Sequence, residues 1–150
     1  MKKLSKLEIN QRISPYLTAG RKHESWVINN IEFDHSGLIA DVEMVETYNS
    51  HTDDGKFHLT VFASLEFLSQ LMIIWGHERA DLDKKTEECW MAESTIKCPS
   101  SIRSKNLKVE MHTKKFRIRN DVIYVKADFI ICSNNPGDGE FLASLTGFLK

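Results

Sequence analysis

LTVFASLEFLSQLMIIW, residues Leu59 to Trp75, decides how this sequence folds. Apolar residues fall on nearly every side of the helical wheel, and Glu66, Ser69 and Gln70 interrupt them near the middle. Gly76 follows and offers a stop. A helix that is apolar all round is buried in a core or spans a membrane. About seventeen residues is the lower limit of a span, and an ionisable group at its centre is costly there. Strand-like sequence on both sides favours a buried helix with no membrane span. A carboxylate in such a helix must be tolerated, shielded or used.

Working outward, Trp26 to Phe33 and Leu38 to Val45 read as two strands, with the turn formers Asp34-His35-Ser36-Gly37 between them as a hairpin signal. Downstream, a polar loop from Glu78 to Glu88 gives way to strand character at Trp90 to Cys98. Leu107, Val109 and Met111 alternate with polar residues in a run that continues to Ile118. Arg119-Asn120-Asp121 then turns the chain, and Ile123, Val125, Ala127, Phe129 and Ile131 keep a period of two. Asn134 to Gly139 is a loop, and Glu140 to Leu149 closes the chain as a last strand. The expected order is two strands, one long buried helix, then three or four long strands meandering antiparallel. Residues 2 to 13 read as a short amphipathic helix with Leu4, Leu7 and Ile13 inward, or as a loose arm.

The 150 residues suit one domain spanning 1–150, with 1–20 as an N-terminal arm or short helix. Charged residues make up 27% and the net charge is −1, so the overall balance does not argue for a nucleic-acid partner. Cys89, Cys98 and Cys132 show no C-x-x-C spacing and fit reduced thiols better than a disulfide framework or a zinc site. The lysines after Met1 are not followed by an apolar stretch of signal-peptide type, so a cytoplasmic protein is expected. The six histidines have no metal spacing with acids or cysteines, and no metal is assigned. Ser64 and Ser69 lack a nucleophile elbow.

One helix against about six antiparallel strands is an α+β arrangement. A helix apolar on all sides is hidden only if the sheet curls around it, and this ordering resembles the hot-dog fold over residues 20 to 150. The helix entrance adds to the resemblance. Hot-dog β-hydroxyacyl-ACP dehydratases have a G-H-F opening and, on the helix, an acid followed four residues later by glutamine. Here stand Gly55-Lys56-Phe57, then Glu66 and Gln70, with lysine in the histidine's place and a loop about four residues shorter. A second resemblance is to FcoT-like long-chain acyl-CoA thioesterases, whose opening is matched in order by Tyr48, Asp53, Asp54, Gly55 and Phe57. His58 falls at an asparagine slot, and Phe67 replaces a later asparagine.

These resemblances imply an acyl-thioester enzyme of fatty acid metabolism. The leading reading is a thioesterase acting on fatty acyl-CoA or acyl-carrier protein. A dehydratase or isomerase of the same fold, and a non-catalytic acyl-binding or dimerisation module, stand beside it. Coenzyme A or phosphopantetheine would enter as part of the substrate, with no separate cofactor. The family also implies a homodimer or dimer of dimers with sites shared between chains.

The chemistry is compatible. The first N–H groups of a helix have no intrahelical partner and favour negative charge, so a thioester carbonyl near His58, Leu59 and Thr60 would meet donors. Glu66, in apolar surroundings that raise its pKa, would serve as base for water, with His58 sharing the role or orienting the carbonyl and Tyr48 as a further polar group. His58 and Glu66 are eight residues apart, roughly 12 Å along a helix, so they pair only if His58 lies in the preceding loop or across a subunit boundary. Plainer readings stay open. Glu66 with Gln70 also fits a structural polar pair, His58 a solvent-facing residue, and Tyr48 an edge-packing ring. Seven Lys or Arg between Ser101 and Arg119 read either as a solvated strand face or as a phosphate rim, with Lys114 and Arg117 in it, for coenzyme A or the phosphopantetheine arm of a carrier protein.

Overall fold

The computed structural model describes residues 3–49, 55–83 and 88–149. Alternating apolar residues build β1 (Ser25–Phe33) and β2 (Gly37–Glu46) into the expected hairpin. Asp34 closes its turn by accepting the N–H groups of Ser36 at 2.7 Å and Gly37 at 3.1 Å. The long helix runs Val61–Arg79 and, third among the helices after two short N-terminal turns, is α3. β3 (Cys89–Lys97), β4 (Asn106–Arg119), β5 (Val122–Cys132) and β6 (Phe141–Leu149) follow. Asn120 and Asp121 hold φ of 50° and 61°, the left-handed pair that joins β4 to β5 in a two-residue hairpin.

All six strands pair antiparallel in the order β1-β2-β4-β5-β6-β3. The expected meander therefore holds for β4, β5 and β6 alone. β3 crosses to the far edge and pairs with β6, while β4 returns to lie beside β2. Register shifts at Thr113/Lys115 in β4 and Met91/Glu93 in β3 let the sheet curve over the helix. This is the arrangement that the hot-dog resemblance implies.

On α3 the buried stripe is Ala63, Phe67, Leu68, Leu71, Met72 and Trp75, spaced by three, four or one as a helix face demands. It packs on inner-face residues such as Met44, Val109, Met111, Val125, Phe129 and Leu145. Burial of each large side chain is worth about 1.5–3 kcal/mol, so this seat is the main source of stability. The expectation of a helix buried on all sides is overturned within one chain. Val61 and Phe62 are 43% and 41% exposed, and Glu66 and Gln70 lie on the same open side. One sheet covers one side of a cylinder.

Gly76 does not stop the helix. A Cβ there would stand 3.1 Å from Leu149 Cδ2 and 3.4 Å from Val125 Cγ2, so the glycine marks close approach of α3 to the sheet. The helix ends at Ala80. Asp81, at φ 56°, donates its N–H to Glu78 O and Leu82 donates to His77 O, which is a Schellman closure without glycine.

At the N-terminus, α1 (Lys6–Asn10) and α2 (Pro15–Thr18) are each about a turn long, and a 3₁₀ turn covers Gly20–His23. Leu4, Leu7 and Ile13 are 43%, 67% and 47% exposed, against the inward placement expected for them. A helix of one turn is too short to present a continuous stripe to the core.

Candidate functional site at the start of α3

The loop 55–60 enters the helix by alternation. Phe57 and Leu59 are buried and Leu59 donates its N–H to Ile102 O at 2.8 Å, so both expected substrate contacts are anchors in the core. Arg103 reaches across to the Phe57 carbonyl at 3.4 Å. Gly55, at φ 73°, supplies the left-handed bend. His58 lies between the anchors and is exposed, in the loop and outside the helix.

Thr60 is the N-cap of α3. Its Oγ1 accepts the Ala63 N–H at 3.2 Å, and its carbonyl accepts that of Ser64. Val61 and Phe62 carry the first N–H groups of the helix, which have no intrahelical acceptor. Glu66 follows in the second turn. Its carboxylate is exposed, against the apolar burial expected for it, and accepts a hydrogen bond from Trp26 Nε1 at 3.3 Å. Trp26 stands edge-on to Phe67 at 6.1 Å, which fixes the indole where it meets the acid. Gln70 is one turn further along the same open face.

The structure adds two residues that the sequence reading missed. Tyr16 and Glu24 come from the N-terminal segment and converge on Thr60. Tyr16 Oη lies 2.8 Å from Glu24 Oε2 and 2.8 Å from Thr60 Oγ1, and Thr60 Oγ1 lies 3.3 Å from the same carboxylate oxygen. Burial pushes the Glu24 carboxyl above the ordinary range, aided by the charge of Glu66, while hydrogen bonds from Tyr16 and Thr60 and the nearby His58 work against it. Burial likewise pushes the Tyr16 hydroxyl up. The partners are 36 and 44 residues from Thr60 in sequence, and the segment carries no periodicity. Its local signals are the capping box of Ser5 with Glu8, and Ser14-Pro15, a capping residue followed by proline at a helix start.

Tyr48 packs beside this cluster. Its ring is 6.3 Å from that of Tyr16 and lies where any Cβ on Gly20 would fall. Asp53 and Asp54 lie outside the described residues. Lys114 and Arg117 are on the outer face of the sheet, away from α3: Lys114 pairs with Asp128 at 3.2 Å, and Arg117 lies opposite Tyr124. A groove of about 390 Å³ there is lined by residues including Lys97, His112 and Lys114. A second groove, about 260 Å³, runs beside α3 and includes Gln70 and Ile73. Glu66 is not among its lining residues, and Trp26, which holds the Glu66 carboxylate, lies on β1 at the opposite edge of the sheet from β3 and β6. Among the described residues no group of three or more His, Cys, Asp or Glu is arranged to hold a metal ion, and no helix is long and apolar enough to cross a membrane.

Neither protein-family models nor curated protein sequences give a match to this chain. Solved structures do. A thioesterase from Haemophilus influenzae is 13% identical, with a TM-score of 0.53 over 99% of this chain and 92% of that one. A phenylacetic acid degradation-related protein from Ralstonia eutropha is 12% identical, with a TM-score of 0.53 over 94% and 95%. A hypothetical thioesterase from Streptococcus pneumoniae, solved with coenzyme A, is 11% identical, with a TM-score of 0.50 over 89% and 90%. At such identities the likeness speaks for the fold: this chain has the hot-dog fold, and its structural neighbours are thioesterases of that fold.

Proposed function

We propose that this protein is a thioesterase that hydrolyses fatty acyl-CoA, with Glu66 as the base. The observation that carries the reading is an open carboxylate on the second turn of α3, oriented by Trp26 at 3.3 Å and set just beyond the free first-turn N–H groups. Glu66 takes a proton from water as the oxygen attacks the thioester carbonyl. Negative charge moves to the carbonyl oxygen and meets the N–H groups of Val61 and Phe62. The C–S bond then breaks, and the proton held by Glu66 passes to the departing thiolate. His58, exposed in the adjoining loop, orients the carbonyl. Coenzyme A is preferred over a carrier protein because a structural neighbour was solved with it.

The open face of α3 supports a homodimer. Val61 and Phe62 remain exposed beside Glu66, and β3 is an edge strand with Trp90 73% exposed, so a second copy covering this side would finish the burial of the helix. None of the three cysteines forms a disulfide among the described residues, which accords with a cytoplasmic setting.

The test is thiol release from a panel of acyl-CoA substrates by the wild type and Glu66→Gln. The amide keeps the shape but accepts no proton, so hydrolysis should fall by roughly 10² to 10⁴ with the fold intact. Full activity in Glu66→Gln would overturn the assignment of the base. Absence of thiol release from every acyl-CoA by the wild type would overturn the activity.

A further inference from the structure

Tyr16 and Glu24 take no direct part in the chemistry proposed above, yet both bind the residue that caps α3. A hydroxyl donates one proton and accepts two, whereas a carboxylate oxygen only accepts. Thr60 Oγ1 accepts the Ala63 N–H at 3.2 Å, with Tyr16 Oη 2.8 Å and Glu24 Oε2 3.3 Å from it. Tyr16 Oη is also 2.8 Å from Glu24 Oε2, so its proton is drawn to the carboxylate. The Thr60 proton then goes to the phenol oxygen or to the same carboxylate, and a lone pair of Thr60 is left facing Ala63. The same segment also holds Phe62: the Tyr16 ring is 6.1 Å away and the Arg21 guanidinium stands 5.7 Å over the ring. At Gly20 a Cβ would fall 2.3 Å from the Tyr48 ring, so a larger residue there would displace that seat. Two residues beyond Glu24 on the same side of the extended chain, Trp26 donates to Glu66. One segment thus touches both the helix cap and the group that orients the base.

We propose that Tyr16 and Glu24 are positioning residues of the thioesterase, a clasp that acts through Thr60 on the first turn of α3; the proposal rests on the hydrolase reading above for what that turn does. The Thr60 hydroxyl takes the Ala63 N–H and the Thr60 carbonyl takes that of Ser64 at 3.1 Å. Those of Val61 and Phe62 are left without a helical acceptor and are the donors assigned to the carbonyl oxygen. Donors of this kind serve only when they stand about 2.7–3.1 Å from the place the oxyanion will occupy. A Thr60 hydroxyl free to turn gives Ala63 no fixed acceptor, and the whole first turn, Phe62 with it, loses its aim. The donors gain most in the transition state, so loosening the clasp acts on kcat and little on KM.

The experiment is a double-mutant cycle read by acyl-CoA hydrolysis. Tyr16→Phe keeps the ring against Phe62 and removes only the hydroxyl. It should lower kcat about tenfold, a fraction of the cost of deleting an oxyanion donor outright, with KM within about twofold. Thr60→Val removes the hydroxyl on which the clasp acts, and in that background Tyr16→Phe should change kcat by less than about twofold. Glu24→Ala should repeat the loss, and Glu24→Gln, whose amide oxygen still accepts, should recover most of it. The Glu24 pair carries the test if Tyr16→Phe does not fold. An unchanged kcat in folded Tyr16→Phe and Glu24→Ala, or the same loss with and without the Thr60 hydroxyl, overturns the proposal. A contact that only stabilised the fold would lower the melting temperature and show neither the kcat–KM split nor the dependence on Thr60. Hydrogen exchange of the Ala63 amide in the same variants, without substrate, separates the two readings. Faster exchange in Tyr16→Phe with no thiol release by the wild type upholds the clasp and rejects the hydrolase. Thiol release by the wild type, with exchange and kcat unchanged in Tyr16→Phe, does the reverse.

Discussion

Replacing Trp75 with phenylalanine measures how firmly α3 is seated. Trp75 is 1% exposed, donates Nε1–H to the Asp34 carbonyl at 3.1 Å, and meets Phe116 edge-on at 5.5 Å. The substitution keeps a ring in the core but removes the pyrrole half of the indole. A residual cavity of roughly 40 Å³ at about 24 cal/mol per Å³ costs about 1 kcal/mol. The lost transfer of the missing ring atoms adds about 1 kcal/mol. The Asp34 carbonyl belongs to an exposed turn and regains water, so the lost hydrogen bond adds only about 0.5 kcal/mol. The sum is about 2–3 kcal/mol, whereas Trp75→Ala should cost about 3–5 kcal/mol. Urea unfolding at fixed protein concentration, with a slope of about 2 kcal/mol per molar, should show the midpoint of Trp75→Phe falling by about 1–1.5 M. A midpoint within about 0.2 M of wild type at an unchanged slope would refute the seat assigned to Trp75 between the β1–β2 turn and Phe116.

Three further outcomes are expected. Glu24 has a carboxyl raised above its ordinary value of 4.5 by burial, so its contribution to stability is full below that value and is lost as pH rises through the raised one. Glu24→Gln should therefore flatten this part of the melting-temperature profile above pH 4.5, and an unchanged slope would remove Glu24 as its source. Lys114→Glu with Arg117→Glu, on the outer face, should leave kcat/KM for acyl-CoA within about twofold at moderate salt; a large rise in KM would return the coenzyme to that face. Sedimentation should find a homodimer at micromolar concentration, with Trp90→Ser weakening it, and a stable monomer would remove the shared site.

The sequence by itself determined the elements and their faces. Alternation in β2, β4 and β5 is a local property, set by which side chains leave the backbone on each side, and it named the buried residues Val109, Val125 and Phe129 before any pairing was known. Asp34 and the Asn120–Asp121 pair likewise fix their turns through their own backbone and side chains. The helical wheel of α3 showed that apolar surface must be covered. It carried no information about what would cover it.

That was decided only in three dimensions. Whether β3 lies beside β4 or β6 depends on pairing free energies between strands, which a period of two leaves equal. Gly76 reads as a stop by local propensity, but the approach of Leu149 and Val125 makes it a packing position inside the helix. Glu66 reads as buried because its sequence neighbours are apolar. It is exposed because one curved sheet seats a single stripe of the helix, and residue 66 falls outside it. Tyr16 and Glu24 enter the site through contacts spanning 44 and 36 residues, and their significance comes from the desolvation and oxygen–oxygen distances that those contacts create. Periodicity reports how each segment divides its own surface; the environment of an ionisable group depends on which distant segment the folded chain brings against it.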